Sequence, residues 1–268
     1  MKKTVILILL TFLLSIPVLV PAEVTQNDRL LQRPERDGAV VQKYWLETAA
    51  TFQQWDFGNN DAQVWTFGPT FITSLPSNRS IELGGRVDIM NFDPDGYGDE
   101  TGLSDIDLWG KYQFLTGRDY LVSAGLLLTL PTGSEKIIHP RASGEVNVEM
   151  FAAGRYQIKP SLAAIAHVSL RRNADMDIEI RNAETEVDGE LQMALGGGVI
   201  YEVTPELNLQ GELNFATEAY DDFDSDIQLR VGADYEIKPD LLLRGGTGIG
   251  LDDGAPDLEL SFRCLFLF

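Results

Sequence analysis

The sequence predicts an all-β fold, a closed antiparallel transmembrane β-barrel of about twelve strands. Three observations carry that prediction. The final stretch, Pro256 to Phe268, alternates: Leu258, Leu260, Phe262, Cys264, Phe266 and Phe268 share one side, and Glu259, Ser261 and Arg263 the other, because successive side chains of a strand point to opposite faces. Segments of strand length with the same alternation recur along the chain. The connections between them alternate between tight turns and longer acidic stretches. An apolar face backed by an ionic one suits a barrel wall with lipid outside and a polar lumen inside. A soluble sandwich would bury the apolar face instead.

The first 22 residues read as a secretory signal. Lys2 and Lys3 precede an apolar stretch from Thr4 to Leu19, and Val20-Pro21-Ala22 supplies small residues for cleavage. Glu23, Thr25, Gln26 and Asn27 follow, so the stretch does not read as an anchor. Residues 23–42 are polar and lack period-2 alternation, which predicts a periplasmic tail or a plug segment that folds into the barrel mouth. Residues 43–268 then form the barrel. Loss of Lys2 and Lys3 lowers the net charge of −20 by two, to −22. Such acidity argues against nucleic acid or an anionic surface as partner. The single cysteine, Cys264, cannot close an internal disulfide.

The strands follow in order. Lys43 to Phe57 and Ala62 to Thr73 alternate loosely, and their faces are ambiguous. Ser80 to Met90 alternates better. Leu103 to Leu115 is the clearest: Ile106, Leu108, Tyr112 and Phe114 oppose Asp105, Asp107, Trp109, Lys111 and Gln113. Gly144 to Ile158 and Val187 to Val203 behave similarly. Leu207 to Phe215 sets Leu209 and Leu213 against Gln210 and Glu212, and Asp226 to Ile237 sets Leu229, Val231 and Tyr235 against Gln228, Arg230 and Asp234. Gly196-Gly197-Gly198 and Gly245-Gly246 lack the strand–loop–helix context of a nucleotide site. Within strands they mark close backbone approach or room for an inward segment.

Tight turns are expected at Leu75-Pro76-Ser77-Asn78, Thr116-Gly117-Arg118-Asp119, Lys159-Pro160-Ser161, Thr204-Pro205-Glu206 and Lys238-Pro239-Asp240. Proline sets one backbone angle and cannot donate to a ladder, which suits a turn. The other connections are Gly58 to Asp61, Asp93 to Thr101, Pro131 to Ser143, Asn173 to Glu186, Thr217 to Ser225 and Leu251 to Ala255. Short periplasmic turns and longer extracellular loops distinguish the two ends of such barrels. Five turns and six loops join twelve strands with both termini periplasmic. Tyr44, Tyr112, Phe114, Tyr156, Tyr201, Tyr235, Phe266 and Phe268 fall near the periplasmic rim and predict an aromatic girdle.

The run Gly102-Leu103-Ser104-Asp105-Ile106-Asp107-Leu108-Trp109-Gly110-Lys111-Tyr112-Gln113-Phe114-Leu115, followed by Gly125-Leu126-Leu127-Leu128-Thr129-Leu130-Pro131-Thr132-Gly133, resembles a bacterial outer-membrane family. It is the transporter-like family of the meta-pathway of phenol degradation, whose members show a Gly-Leu-Gly-Asp-like strand, a Lys-Tyr near its end and a Leu-Pro-Thr-Gly exit. Ser104 stands where a second glycine is often seen. The resemblance is sharp over about residues 101–133. It implies an outer-membrane barrel that admits hydrophobic or aromatic compounds, with no catalytic residues to carry over.

Charged residues on the predicted inward faces are the candidate lumen lining. They are Glu82, Arg86 and Asp88; Asp105, Asp107 and Lys111; Glu145, Glu149 and Arg155; His167 and Arg171; Glu190 and Glu212; Arg230, Asp234 and Arg244; and Glu259 and Arg263. Both signs in a narrow space must pair and hydrogen-bond, since an unpaired buried charge is expensive. They either impose a field along a pore or fill the barrel as a polar plug. His167 and Ser169 share a strand face in a spacing used by outer-membrane lipid hydrolases. Leu162, Ala164, Ala166, Val168 and Leu170 form the apolar face, however, so the pair points to the lumen. Asp93-Pro94-Asp95-Gly96 and Asp222-Phe223-Asp224-Ser225-Asp226 suggest calcium, but an EF-hand loop needs Gly at its sixth and Glu at its twelfth position; counting from Asp93 these hold Gly98 and Ser104, and from Asp222 they hold Ile227 and Ala233.

The sequence thus leads to a channel in the outer membrane of a Gram-negative bacterium, for passive uptake of small, hydrophobic or aromatic compounds. No cofactor, metal or enzymatic activity is expected. The expected partners are outer-membrane lipid, lipopolysaccharide, a small-molecule solute, and the barrel assembly machinery through the Phe268 strand. The rival readings are a lipid hydrolase and a non-conducting structural barrel.

Overall fold

Alternating side chains can satisfy a bilayer only if every strand edge is paired, because unpaired backbone groups are not tolerated in hydrocarbon. A computed structural model shows how this chain achieves that. It describes residues 36–41, 44–56, 61–94, 99–134, 142, 144–180, 183–221 and 223–268. The predicted signal, residues 1–22, and most of the predicted tail lie outside the described residues, as do parts of several predicted loops.

The wall opens with β1 (Trp45–Asp56), β2 (Asp61–Leu75), β3 (Asn78–Arg86), β4 (Ile89–Pro94), β5 (Glu100–Leu103) and β6 (Ile106–Thr116). It continues with β7 (Tyr120–Leu130), β8 (Asn147–Lys159) and β9 (Leu162–Arg172). A small hairpin, β10 (Met176–Ile180) and β11 (Ala183–Val187), precedes β12 (Leu191–Thr204) and β13 (Leu207–Ala216). The wall ends with β14 (Asp226–Lys238), β15 (Leu241–Gly250) and β16 (Leu258–Leu267). β1 pairs with both β2 and β16, from Trp45 opposite Leu267 to Gln54 opposite Leu258, so the sheet closes on itself. β3 and β4 together form one stave against β2, and β5 and β6 form the next. With the β10–β11 hairpin set aside, the barrel has twelve antiparallel staves.

All five tight turns fall where Pro or Gly predicts them. The segments Ser80 to Met90 and Leu103 to Leu115 each break once, at Val87-Asp88 and at Ser104-Asp105. The acidic stretch Asn173 to Glu186 carries the β10–β11 hairpin rather than an irregular loop, so Val187 ends β11 and β12 starts only at Leu191.

The outer face is lipid-compatible along each stave. On β14, Leu229, Val231, Tyr235 and Ile237 are exposed while Gln228 and Asp234 are buried. On β16, Leu260, Phe262 and Phe266 are exposed while Glu259 and Leu265 are buried. At the tight-turn end Tyr44, Tyr156, Tyr201, Tyr235 and Phe268 are exposed, joined by Tyr120, which the sequence reading omitted. Tyr112 and Phe114 are only half-buried. Rings at this level suit the lipid–water boundary, with an apolar body and a polar tip.

Inside the wall, three inward rings lie flat against the glycine directly opposite them: Trp109 over Gly84, Phe151 over Gly125 and His167 over Gly196. A Cβ on any of these glycines would collide with the ring. Glycine therefore lets a bulky inward side chain lie along the wall instead of crossing the lumen.

Candidate functional site: the barrel lumen

The lumen is organised by ion pairs between staves. Glu82 and Lys111 face each other in register on β3 and β6, 3.3 Å apart and fully buried. Arg86 reaches its register partner Asp107 at 2.6 Å and approaches Asp88 at 3.8 Å. Asp107 also accepts from Thr129 Oγ1 at 2.8 Å, and Arg171 Nη2 donates to that hydroxyl at 3.4 Å. Arg171 lies 3.9 Å from Glu149, its partner across β8 and β9. On the other side, Arg244 holds Asp234 through two bonds of 2.6 and 2.8 Å. Arg230 pairs with Glu259 at 3.1 Å, and Arg263 with Glu47 at 3.1 Å. Cross-strand pairing of opposite charges supports the register, and mutual pairing relieves the desolvation of each group.

The described piece of the N-terminal segment, residues 36–41, lies inside this cage. Asp37 accepts from Arg155 Nε at 2.9 Å and forms a salt bridge with its Nη2, both side chains being buried. Lys111 Nζ donates to the carbonyl of Ala39 at 2.6 Å, and the Val41 amide donates to Glu82 Oε2 at 2.8 Å. Arg36 pairs with Glu212 at 3.0 Å. Gly38 sits flush on the wall: a Cβ there would lie 2.5 Å from the Leu121 carbonyl oxygen. Ala39 and Val41 pack with Trp45, Ile72, Leu121, Leu242 and Leu265 in an apolar cluster at the tight-turn end.

Apart from Trp109, inward apolar residues are the part of the lumen that alternation does not reveal. They sit in continuous apolar runs such as Leu241-Leu242-Leu243 and Leu265-Phe266-Leu267, where both faces are apolar and period 2 gives no contrast. The second apolar cluster, Ala62, Val64, Met90, Phe92 and Ala142 with Trp55 packed against it, lies toward the loop end.

Between the clusters lies a cavity of about 290 Å³. Glu47 and Thr70, opposite each other on β1 and β2, line it. One step nearer the tight turns, Trp45 and Ile72 belong to the apolar cluster that includes Val41. Toward the loops the cavity is lined by Trp55, Val64, Phe92, Phe223 and Asp224. Arg86, Asp88, Arg171, Arg230, Glu259 and Arg263 also line it. A smaller chamber of about 40 Å³ adjoins it, lined by Arg36, Glu212, Arg230, Arg244, Glu259 and Arg263 among others.

Four predicted positions differ. Glu145 is exposed and lies before β8, not on its inner face. Gly144 has a positive φ of 70° there, so the chain is still turning toward the sheet. Glu190 likewise precedes β12. Asp88 and Asp105 are buried at the two stave breaks rather than within a regular strand. There Asp105 Oδ1 accepts from the amides of Thr132 and Gly133 at 3.1 and 2.7 Å, and Ser104 Oγ accepts from the Asp88 amide at 3.1 Å. The motif run around Ser104-Asp105 and Pro131-Thr132-Gly133 thus ties two broken staves to the end of β7.

His167 and Ser169 are buried on the inner face, and Val168 and Leu170 are exposed on the outer one. Among the described residues, no three His, Cys, Asp or Glu side chains converge as a metal cage would. Asp95, Gly96 and Asp222 of the acidic runs lie outside the described residues.

Twelve closed antiparallel staves, an apolar outer belt and a charged interior define an outer-membrane β-barrel of a Gram-negative bacterium. The chain belongs to the family described as "Putative MetA-pathway of phenol degradation", whose model matches residues 38–268. No curated protein matches it by sequence. Among solved structures it is similar to an outer membrane channel from Pseudomonas putida F1, with a TM-score of 0.75 and 14% identity over 89% of this chain and 100% of that one. It is similar to the KdgM porin, with a TM-score of 0.53 and 11% identity over 84% and 99% of the two chains. It is also similar to the CymD monoaromatic hydrocarbon channel, with a TM-score of 0.50 and 8% identity over 85% and 89%. These structures are channels and porins, and at such identities the likeness is one of fold.

Proposed function

We propose that the protein is a passive outer-membrane channel for small solutes, with apolar and aromatic compounds among them. The single observation that carries this is the cavity of about 290 Å³, lined by both ionic and apolar side chains and reaching loop residues Phe223 and Asp224. Small-molecule sites combine apolar walls with a few placed polar groups in this way. The predicted lumen residues Arg86, Asp88, Arg171, Arg230, Glu259 and Arg263 supply its polar side. Residues 36–41 act as a plug at the periplasmic end, held by Arg155, Lys111, Glu82 and Glu212. Residues 1–22 act as the export signal.

No catalysis is assigned. A lipid hydrolase would need His167 and Ser169 on the lipid side, where Val168 and Leu170 stand instead. The last strand, ending in Phe268, is the segment read by the assembly machinery.

Single-channel recording of the full-length protein in planar bilayers tests the channel. Reproducible conductance steps, together with swelling of proteoliposomes in small neutral solutes, are expected. A correctly folded protein that neither conducts nor supports swelling would leave the non-conducting barrel as the better reading.

A further inference from the structure

The molecule is acidic, with a net charge of −20, yet the lining of its smaller chamber is rich in arginine, while the larger chamber is lined by five carboxylates and four arginines. The smaller chamber is lined by four arginines, Arg36, Arg230, Arg244 and Arg263, against two carboxylates, Glu212 and Glu259. Arg230, Glu259 and Arg263 line both chambers, so they stand where the two meet. Among the described residues, Nε of Arg230, Nε of Arg263 and Nε2 of Gln228 have no hydrogen-bond partner. Gln228 is 1% exposed, lines the larger chamber, and lies two residues from Arg230 on the same strand face. Buried donors without acceptors are costly, and all three belong to residues that line the larger cavity.

The strand register shows what faces them. Phe92 lies opposite Val64, Val64 opposite Gln53, Gln53 opposite Glu259, Glu259 opposite Gly248, and Gly248 opposite Arg230. Phe92 is five steps and Val64 four steps from Arg230 round a wall of twelve staves, so the apolar pair stands across the lumen from Arg230. On that arc Gly248 adds no side chain, while Gln53 and Glu259 line the cavity and bond to each other at 2.8 Å. A Cβ on Gly248 would meet Gln228 Nε2 at 2.7 Å.

We propose that the larger chamber, where it meets the smaller one, binds a small organic monoanion with an apolar body. Its carboxylate sits on Arg230 and Gln228, with Arg263 as the next station inward, and its body lies against Val64 and Phe92. Among the carboxylates that line the chamber, Glu259 is paired with Arg230, Glu47 with Arg263, and Asp88 lies 3.8 Å from Arg86. Exposed loop charges beyond about 8 Å are largely screened at physiological salt, whereas charge-assisted hydrogen bonds act at contact. The proposal deepens the channel reading and rests on it for its transport role, but the binding step can be measured separately.

The test uses the full-length protein with benzoate, benzyl alcohol and benzylammonium as probes of one shape and three charges. Binding is read by calorimetry in detergent, and current block by single-channel recording. Benzoate is expected to bind and block more strongly than the other two. Arg230→Gln is expected to weaken benzoate by about tenfold or more, as loss of a hydrogen bond to a charged group implies. Glu259 keeps a donor in that variant, since Gln53 Nε2 reaches it at 2.8 Å. Heat-modifiable gel mobility checks its folding, and Gln228→Leu, which removes no charge, provides a second variant with the same expected direction. Benzylammonium binding as tightly as benzoate, or benzoate binding indifferent to both variants, overturns the anion site. Benzoate binding to a barrel that never conducts keeps the site and overturns the channel reading.

Discussion

Asp37 is the residue on which the internal segment hangs. Its carboxylate is buried against Arg155, and its carbonyl accepts from Lys111 at 3.4 Å. Asp37→Asn leaves the Arg155 guanidinium without its counter-charge. Removal of one partner of a buried pair costs about 3–5 kcal/mol. The variant is expected to unfold at lower temperature and to show larger single-channel conductance, as the segment loses its anchor. Unchanged conductance would show that residues 36–41 do not restrict the pore. Gly84 makes a second residue-scale prediction. Gly84→Val places methyl groups where the Trp109 indole lies. Overpacking of this kind costs about 1–3 kcal/mol, measurable as a lower urea midpoint for the folded barrel.

At the scale of elements, the stave breaks at Val87-Asp88 and Ser104-Asp105 matter most. The sequence predicts two uninterrupted strands there, because alternation continues past each break. What interrupts them is a set of side chain to backbone bonds from Ser104 and Asp105 to residues distant along the chain. Such bonds compete with the ladder and leave no trace in hydropathy. Asp105→Ala removes the acceptor for two amides, each worth about 1–3 kcal/mol if left unsatisfied. Faster proteolytic cleavage near residues 131–134 is expected, with the barrel otherwise folded. Equal cleavage in wild type and variant would assign the junction to β5–β6 alone.

For the whole molecule, the two faces have different tolerances. Val231 is exposed near the middle of β14, on the lipid side. Val231→Arg is expected to cost about 2–4 kcal/mol in equilibrium unfolding in bilayers, as for a cation at the midplane. Gly232→Arg, the next residue on the lumen side, is expected to reduce conductance instead, since a Cβ there already lies 2.9 Å from Gln210 Nε2. If Val231→Arg were neutral in the bilayer, this stave would not face hydrocarbon.

The sequence by itself determined the class of fold, the five tight turns and the faces of β6, β14 and β16. Each follows from neighbours in the chain, through period 2 and the geometry of proline and glycine. The candidate lumen was legible where charges alternate with apolar residues, as at Asp107, Lys111, Arg230 and Glu259. Only the tertiary structure decided which charges meet. Asp37 finds Arg155, Arg36 finds Glu212 and Arg263 finds Glu47 because closure of β1 on β16 and the inward path of residues 36–41 bring distant positions together. It also decided that Trp45 and Leu242 face inward to meet Val41. In a run where every residue is apolar, hydropathy cannot distinguish lipid from lumen; register and closure can.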